Sequence, residues 1–179
     1  MKGKHTTTTI AIFKRITKGE LPNPKESRLN LFPDIEEAKS VITSDVEETI
    51  HQLLESAASF EVDRDATHTR IDSGDKTVEW MISADVEGAS DAEHAVVRTY
   101  SWDTSPDLVA TTLFEQEGDA IADLAEWYNS EKASDQASGY AFDASIEANA
   151  RWAKITNYRA SGDIDHTLWM RLPVTTTLA

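Results

Sequence analysis

The sequence predicts an α+β fold: an antiparallel sheet of hairpins packed by two amphipathic helices, with an extended N-terminal arm. Three observations carry that expectation. Apolar residues recur at steps of three and four between Ile35 and Ala57, and the apolar period falls to two between Phe60 and Trp102. A β-branched stretch, Thr6 to Phe13, precedes a Pro-rich basic segment. On this reading residues 1–33 are a strand or arm followed by a basic loop, and residues 34–179 are a single acidic α+β domain.

The elements follow in order. Thr6 to Phe13 favours extended backbone because β-branched side chains suit a pleated surface. Lys14 to Pro33 holds three prolines, one glycine and five basic residues without clear periodicity, which predicts a loop. Asp34 is a good N-cap, after which Ile35, Ala38, Ile42, Val46, Ile50, Leu53, Leu54 and Ala57 form one helical face. Ser44 and Glu47 match a capping box, so the pattern also allows the helix to restart at Ser44. Residues 61–71 and 77–86 then pair around the turn Asp72-Ser-Gly-Asp75, and Ala95 to Trp102 reads as a further strand.

A second helix is expected from Asp119 to Glu131, with Ile121, Leu124, Ala125 and Tyr128 on one face. Residues 140–157 admit two readings. Tyr140, Phe142, Ala144, Ile146, Ala148, Ala150 and Trp152 alternate as in a strand, whereas the Ala-rich composition suits a helix. The period favours strand. Ser161-Gly-Asp163 makes another turn, similar to the one at Asp72, before a final strand from Thr167 to Val174.

Composition limits the function. At 179 residues with 40% apolar content the chain can bury roughly two thirds of its unfolded surface as one domain. The absence of cysteine removes disulfides, thiolate metal sites and a cysteine nucleophile. No stretch approaches the roughly 18 apolar residues of a membrane span. The apolar run after the first threonines, Ile10 to Phe13, falls short of the roughly 7 to 15 residues a signal peptide needs, so a cytoplasmic or virion-associated location is expected. Between Val41 and Glu147 there are 25 acidic against 5 basic residues, while residues 1–40 carry 8 basic against 5 acidic. The net charge of −15 argues against direct binding to nucleic acid or anionic membranes. Three readings of the acidity stand. It is a solvated surface adapted to high salt, which 19 Thr, 22 Ala and only 9 Lys suit. It is a nucleic-acid mimic for a basic groove. Or it docks on a basic partner, including the N-terminal region of another copy, where Lys14, Arg15, Lys18, Lys25 and Arg28 are the candidate interaction residues.

Candidate chemistry is sparse. Glu47, His51 and Glu55 share a helix face, and Glu48 precedes His51 by three, a spacing found in carboxylate-bridged metal bundles. No second copy of that motif exists, so an exposed histidine among carboxylates is the expectation. Asp63, Asp65 and His68, and separately Asp163, Asp165 and His166, are weak candidates for a hard-metal or hydrolytic site. Both groups lie beside turns, where Asp caps backbone in any case. There is no nucleophile elbow, phosphate loop or dinucleotide fingerprint. No cofactor, catalytic residue or small-molecule substrate is expected. The five Trp are expected to fill the core.

The order helix, hairpin, strand, helix, terminal strands resembles that of tail-terminator or tail-completion (neck) proteins of tailed viruses. The matching parts are the helix at Ser44–Ser59, strands within Glu61–Trp102, the helix at Asp119–Glu131 and the strand at Thr167–Val174. The resemblance implies an α+β subunit that closes into rings and carries no catalytic residues. A non-enzymatic assembly subunit from a high-salt host, pairing with itself and with other protein subunits, is therefore expected. An acidic inhibitor or nucleic-acid mimic acting on a DNA- or RNA-handling protein is the alternative.

Overall fold

The computed structural model describes residues 10–19, 21–65, 67–83, 85–88, 91–102 and 105–176, with backbone alone for Trp102, residues 105–108 and Thr176. The Thr6–Thr9 part of the expected strand lies outside these residues. Three strands come first: β1 (Ile10–Lys18), β2 (Leu21–Pro22) and β3 (Arg28–Phe32). Helix α1 (Ile35–Glu55) leads to β4 (Glu61–Arg64), β5 (His68–Asp72), β6 (Lys76–Ser83), β7 (Asp85–Glu87), β8 (His94–Trp102) and β9 (Ser105–Phe114). Helix α2 (Glu117–Ser138) precedes β10 (Ala141–Ile146), β11 (Trp152–Tyr158) and β12 (Ile164–Thr176).

The expected sheet of antiparallel hairpins with a free N-terminal arm is corrected. Of the described residues 49% are strand and 28% helix, and the described strands form one twelve-stranded mixed sheet. The order is β4-β5-β6-β1-β3-β12-β8-β9-β7, with β11 also on β12, β10 beyond β11, and β2 on β1. Two pairings are parallel, β3 with the end of β12 and β7 with β9, and no hairpin can produce them. The segment expected to be strand or arm followed by loop lies inside the sheet, since β1 continues past Phe13 to Lys18 and runs between β6 and β3.

Strand alternation sorts the side chains into layers. In β1, Ala11 and Phe13 face one way while Ile10, Ile12 and Ile16 face the other. Phe13, Leu29 and Met81 share a buried cluster with Val97, Leu113, Leu168 and Met170, so the β1–β6 half of the sheet folds over the β7–β12 half. Outside the first half, α1 sets Ala38 and Val46 against Phe32, Val78 and Trp80. Outside the second, α2 sets Ala120, Leu124 and Tyr128 against Val96, Ile155 and Trp169. The result is a helix–sheet–sheet–helix stack.

β12 joins the two halves. Residues 164–170 run between β11 and β8, and Val174–Thr176 pair with β3. The Arg171 amide donates toward β11, to the Arg151 carbonyl, and the Val174 amide toward β8, to the Glu93 carbonyl. By alternation position 173 would donate on the β11 side, in the gap where β11 has ended and β3 has yet to begin. Proline, which has no N–H, therefore fits there.

α1 follows the expected span closely, whereas α2 is longer than the expected Asp119–Glu131. α1 is one 21-residue helix that runs through Ser44 without a restart, and the Asp34 carboxylate caps it by accepting from the Glu37 amide at 2.9 Å. α2 spans 22 residues and ends at Gly139, whose φ of 72° suits a residue without Cβ. Trp169 is fully buried beneath α2, edge-on to Tyr128 with centroids 6.3 Å apart. Trp169→Ala is expected to cost about 3–5 kcal/mol, read by urea denaturation, because its volume lies where no neighbour can close the void.

Candidate functional site

The polar interior has two parts. The first lies between the sheet halves, on the face of β1 that carries Ala11 and Phe13. Two residues on from Phe13, Arg15 donates from Nε and Nη2 to Glu79 Oε2 at 2.9 and 2.8 Å, and from Nη1 to Thr99 Oγ1 at 3.1 Å. His68 Nε2 lies 3.1 Å from Glu79 Oε1, so both carboxylate oxygens are engaged. Burial alone would raise the Glu79 pKa, but the hydrogen bond from His68 and the charge and hydrogen bonds of Arg15 outweigh it and bring it to about 2. This is a closed ion network, and Arg15, expected to reach a partner, is turned inward.

Of the first candidate cluster, His68 joins that network. Asp65 instead accepts the Thr67 and His68 amides at 2.8 Å each, which, against burial, hold its pKa below the ordinary value. That is a turn-forming Asp. Asp63 is exposed on β4.

The second cluster is divided by strand alternation. His166 faces between the sheet halves, with Nδ1 3.0 Å from Thr156 Oγ1. Burial lowers its pKa, and the charges of Lys154 and Arg15 add to this against that of Asp165. Asp165, one residue earlier, faces α2. Its Oδ2 accepts from Arg159 Nε at 2.7 Å and from the Tyr100 hydroxyl at 3.3 Å. Asp163 accepts from the Ser161 hydroxyl in the preceding turn. Among the described residues no three His, Asp or Glu side chains converge in a geometry that could hold a metal ion.

The second polar region surrounds Asp165. Among the described residues, five buried side-chain atoms lie without a hydrogen-bond partner: Asp135 Oδ2, Asn157 Oδ1, Asp165 Oδ1, Thr167 Oγ1 and Trp169 Nε1. Four of these residues belong to the α2-facing side of β11 and β12, where Asn157 stands opposite Asp165. The fifth, Asp135, occupies the inward stripe of α2 beyond Ala120, Leu124 and Tyr128. Burial raises the Asp135 pKa; an Asn157 hydrogen bond opposes this and the Asp165 charge reinforces it. The sequence reading missed Asp135, although its spacing of seven from Tyr128 places it on the apolar face.

The remaining candidates are peripheral. His51 pairs with Glu55 at 3.2 Å on an exposed helix face. Lys14 pairs with Asp45 at 2.8 Å and lies 5.2 Å from the centre of the Trp80 ring. Lys14 and Arg28 line a cleft of about 300 Å³ between α1 and the sheet. Lys18, paired with Glu26 at 2.9 Å, and Lys25 line another, beside Leu21 and Trp152. Trp80 and Trp169 fill the core as expected, whereas Trp127 is exposed.

The sheet edges differ in character. β4 reads Glu-Val-Asp-Arg and β7 reads Asp-Val-Glu, both short and charged, as edges blunted against pairing are. β10 reads Ala-Phe-Asp-Ala-Ser-Ile, with Asp143 as its single charge. It pairs with β11 alone among the described strands. The Glu147 amide donates to the Trp152 carbonyl at 3.0 Å, one step beyond the Ile146↔Ala153 pair. Antiparallel alternation then directs the backbone groups of Ala141, Asp143 and Ser145 to β11 and those of Phe142, Ala144 and Ile146 outward. Beside this edge, Tyr140, Tyr158, Ile146 and Ile164 present exposed apolar surface.

No family model matches the chain, and comparison with curated proteins and with solved structures finds no match.

Proposed function

We propose that this chain is a non-enzymatic structural subunit that assembles with copies of itself through the β10 edge. The observation that carries the reading is the contrast among edges: β4 and β7 are charged and short, while β10 offers three outward-bonding residues and one charge. In a two-fold antiparallel pairing with Ala144 on the axis, Phe142 meets Ile146 of the second copy and Asp143 meets Ser145. No like charges oppose one another, and the Ala144–Ala144 and Phe142–Ile146 pairs each exchange both backbone hydrogen bonds, while Asp143–Ser145 is a non-hydrogen-bonded pair. A role in a viral particle of head–tail or tail-completion type, from a high-salt host, is the setting proposed. It is supported by the order α1, β4–β6, β8–β9, α2, β10–β12 and by the acidity.

Salt is part of the proposal. Copies of net charge −15 repel in dilute buffer, and molar salt shortens the Debye length to about 3 Å. Light scattering on the purified protein across a KCl series should show a dimer or larger closed species at molar KCl. A strict monomer that stays folded at every salt concentration overturns the reading. Salt-sensitive capture by a basic nucleic-acid-handling protein, from that same monomer, would establish the mimic instead.

A further inference from the structure

We propose that the cluster of buried, unpartnered oxygens beneath the C-terminal end of α2 binds one hard divalent cation of calcium type through Asp135, Asn157, Asp165 and Thr167. Asp135 Oδ2, Asp165 Oδ1 and Asn157 Oδ1 can only accept, and all three are buried without a partner. Asp165 and Thr167 are 1% exposed, and Asp135 is 8% exposed. A buried acceptor left unpaired costs about 1–3 kcal/mol, and more when charged, so this group calls for a positive species at its centre. Thr167 has a hydroxyl to donate, yet it too lies unpartnered, so it stands beyond hydrogen-bond reach of these oxygens.

The placement is specific. Asp165 and Thr167 are alternate residues of β12, so they share the face toward α2, and Asn157 is the cross-strand partner of Asp165. Asp135 closes the site from the helix, where it is hydrogen-bonded to Asn157 and lies close enough to feel the charge of Asp165. Arg159 and Tyr100 hold Asp165 Oδ2, which fixes the carboxylate and leaves Oδ1 for the ion. Two carboxylates, an amide oxygen and a hydroxyl are a hard-oxygen set that suits calcium, with waters completing six to eight ligands. The helix adds to this. The last turn of α2 carries no basic residue, so its negative dipole end is left for a cation.

The consequence is structural: the ion would tie α2 to β11 and β12 next to the β10 edge. The inference does not depend on assembly, because it concerns one copy. Terbium is the probe, since Trp169, two residues from Thr167 on the same face of β12, can sensitise its emission. In 1 M KCl, which suppresses binding to surface carboxylates, tryptophan excitation should give saturable terbium luminescence at one ion per chain. Calcium should displace the terbium and raise the melting temperature. Asp135→Asn should abolish both responses, whereas Asp163→Asn, in the exposed turn nearby, should keep them. Asp135→Leu should be more stable than the parent without calcium and indifferent to its addition. Terbium emission unchanged by Asp135→Asn, or a parent protein whose melting temperature ignores millimolar calcium, overturns the site. The latter result with Asp135→Leu still stabilised would show that a proton on Asp135, rather than a metal, fills the role.

Discussion

Arg15→Ala is expected to destabilise the folded protein by about 3–5 kcal/mol, because it leaves Glu79 charged and buried. The Glu79 side chain is 5% exposed and that of Arg15 13%, so water cannot replace the lost partner without opening the sandwich. Arg15→Met combined with Glu79→Met should recover most of the loss, since a buried pair replaced by apolar side chains is often neutral or stabilising. Urea denaturation of the single and double variants checks both statements. A double variant as unstable as Arg15→Ala would mean the network specifies the packing of the two halves.

The same network predicts the acid limb of stability. Glu79 has its pKa lowered from 4.5 to about 2 in the fold, so the unfolded chain takes up its proton first as pH falls. Its contribution is full above the unfolded value, declines between about 4.5 and 2, and amounts to about 3 kcal/mol. In Glu79→Gln the slope of stability against pH through that window should flatten. An unchanged slope would assign the acid sensitivity to other carboxylates.

Ala144→Pro should convert the assembled protein to folded monomers, whereas Ser145→Pro should weaken the fold itself. The two residues are neighbours, and the difference lies in where their amides point. Ala144 directs its N–H outward, so proline there removes an intermolecular donor and spares the β10–β11 ladder. Ser145 bonds toward Lys154 in that ladder, and proline there orphans a carbonyl at a cost of about 1–3 kcal/mol. Light scattering at molar KCl and thermal melts of both variants decide the matter. Equal effects on assembly would place the contact elsewhere.

The legible parts of this chain were those written in local sequence. Asp34 and the spacing from Ile35 to Leu53 mark α1, since one face of one helix is enough to show the period. Asp72-Ser-Gly marks the β5–β6 turn, and alternation from Phe142 to Ile146 marks β10. The end of α2 was harder. Its apolar stripe stops at Tyr128 because Asp135 takes the next inward place, so pattern alone truncates a helix that Gly139 ends. β3 was hidden by its neighbours: Arg28 to Phe32 is five residues, two of them polar or charged, inside a Pro-rich stretch. β9 offered no clean period, and it gains its place from β8 on one side and β7 on the other.

Function followed the same division. The two Asp-x-Asp groups, each near a histidine, looked alike as sequence, but strand alternation sends Asp165 and His166 to opposite faces. By itself the sequence determined the charge, the absence of cysteine chemistry, both helices and the local turns, because each depends on residues a few positions apart. Only the tertiary structure decided that β1 runs on to Lys18 inside the sheet and that β3 is a strand, that Arg15 meets Glu79 across 64 positions, that Asp135 faces Asp165, and that β10 is left as an edge with a single charge. Those facts arise from pairings between distant segments, whose energies come from burial in layers that no local window contains.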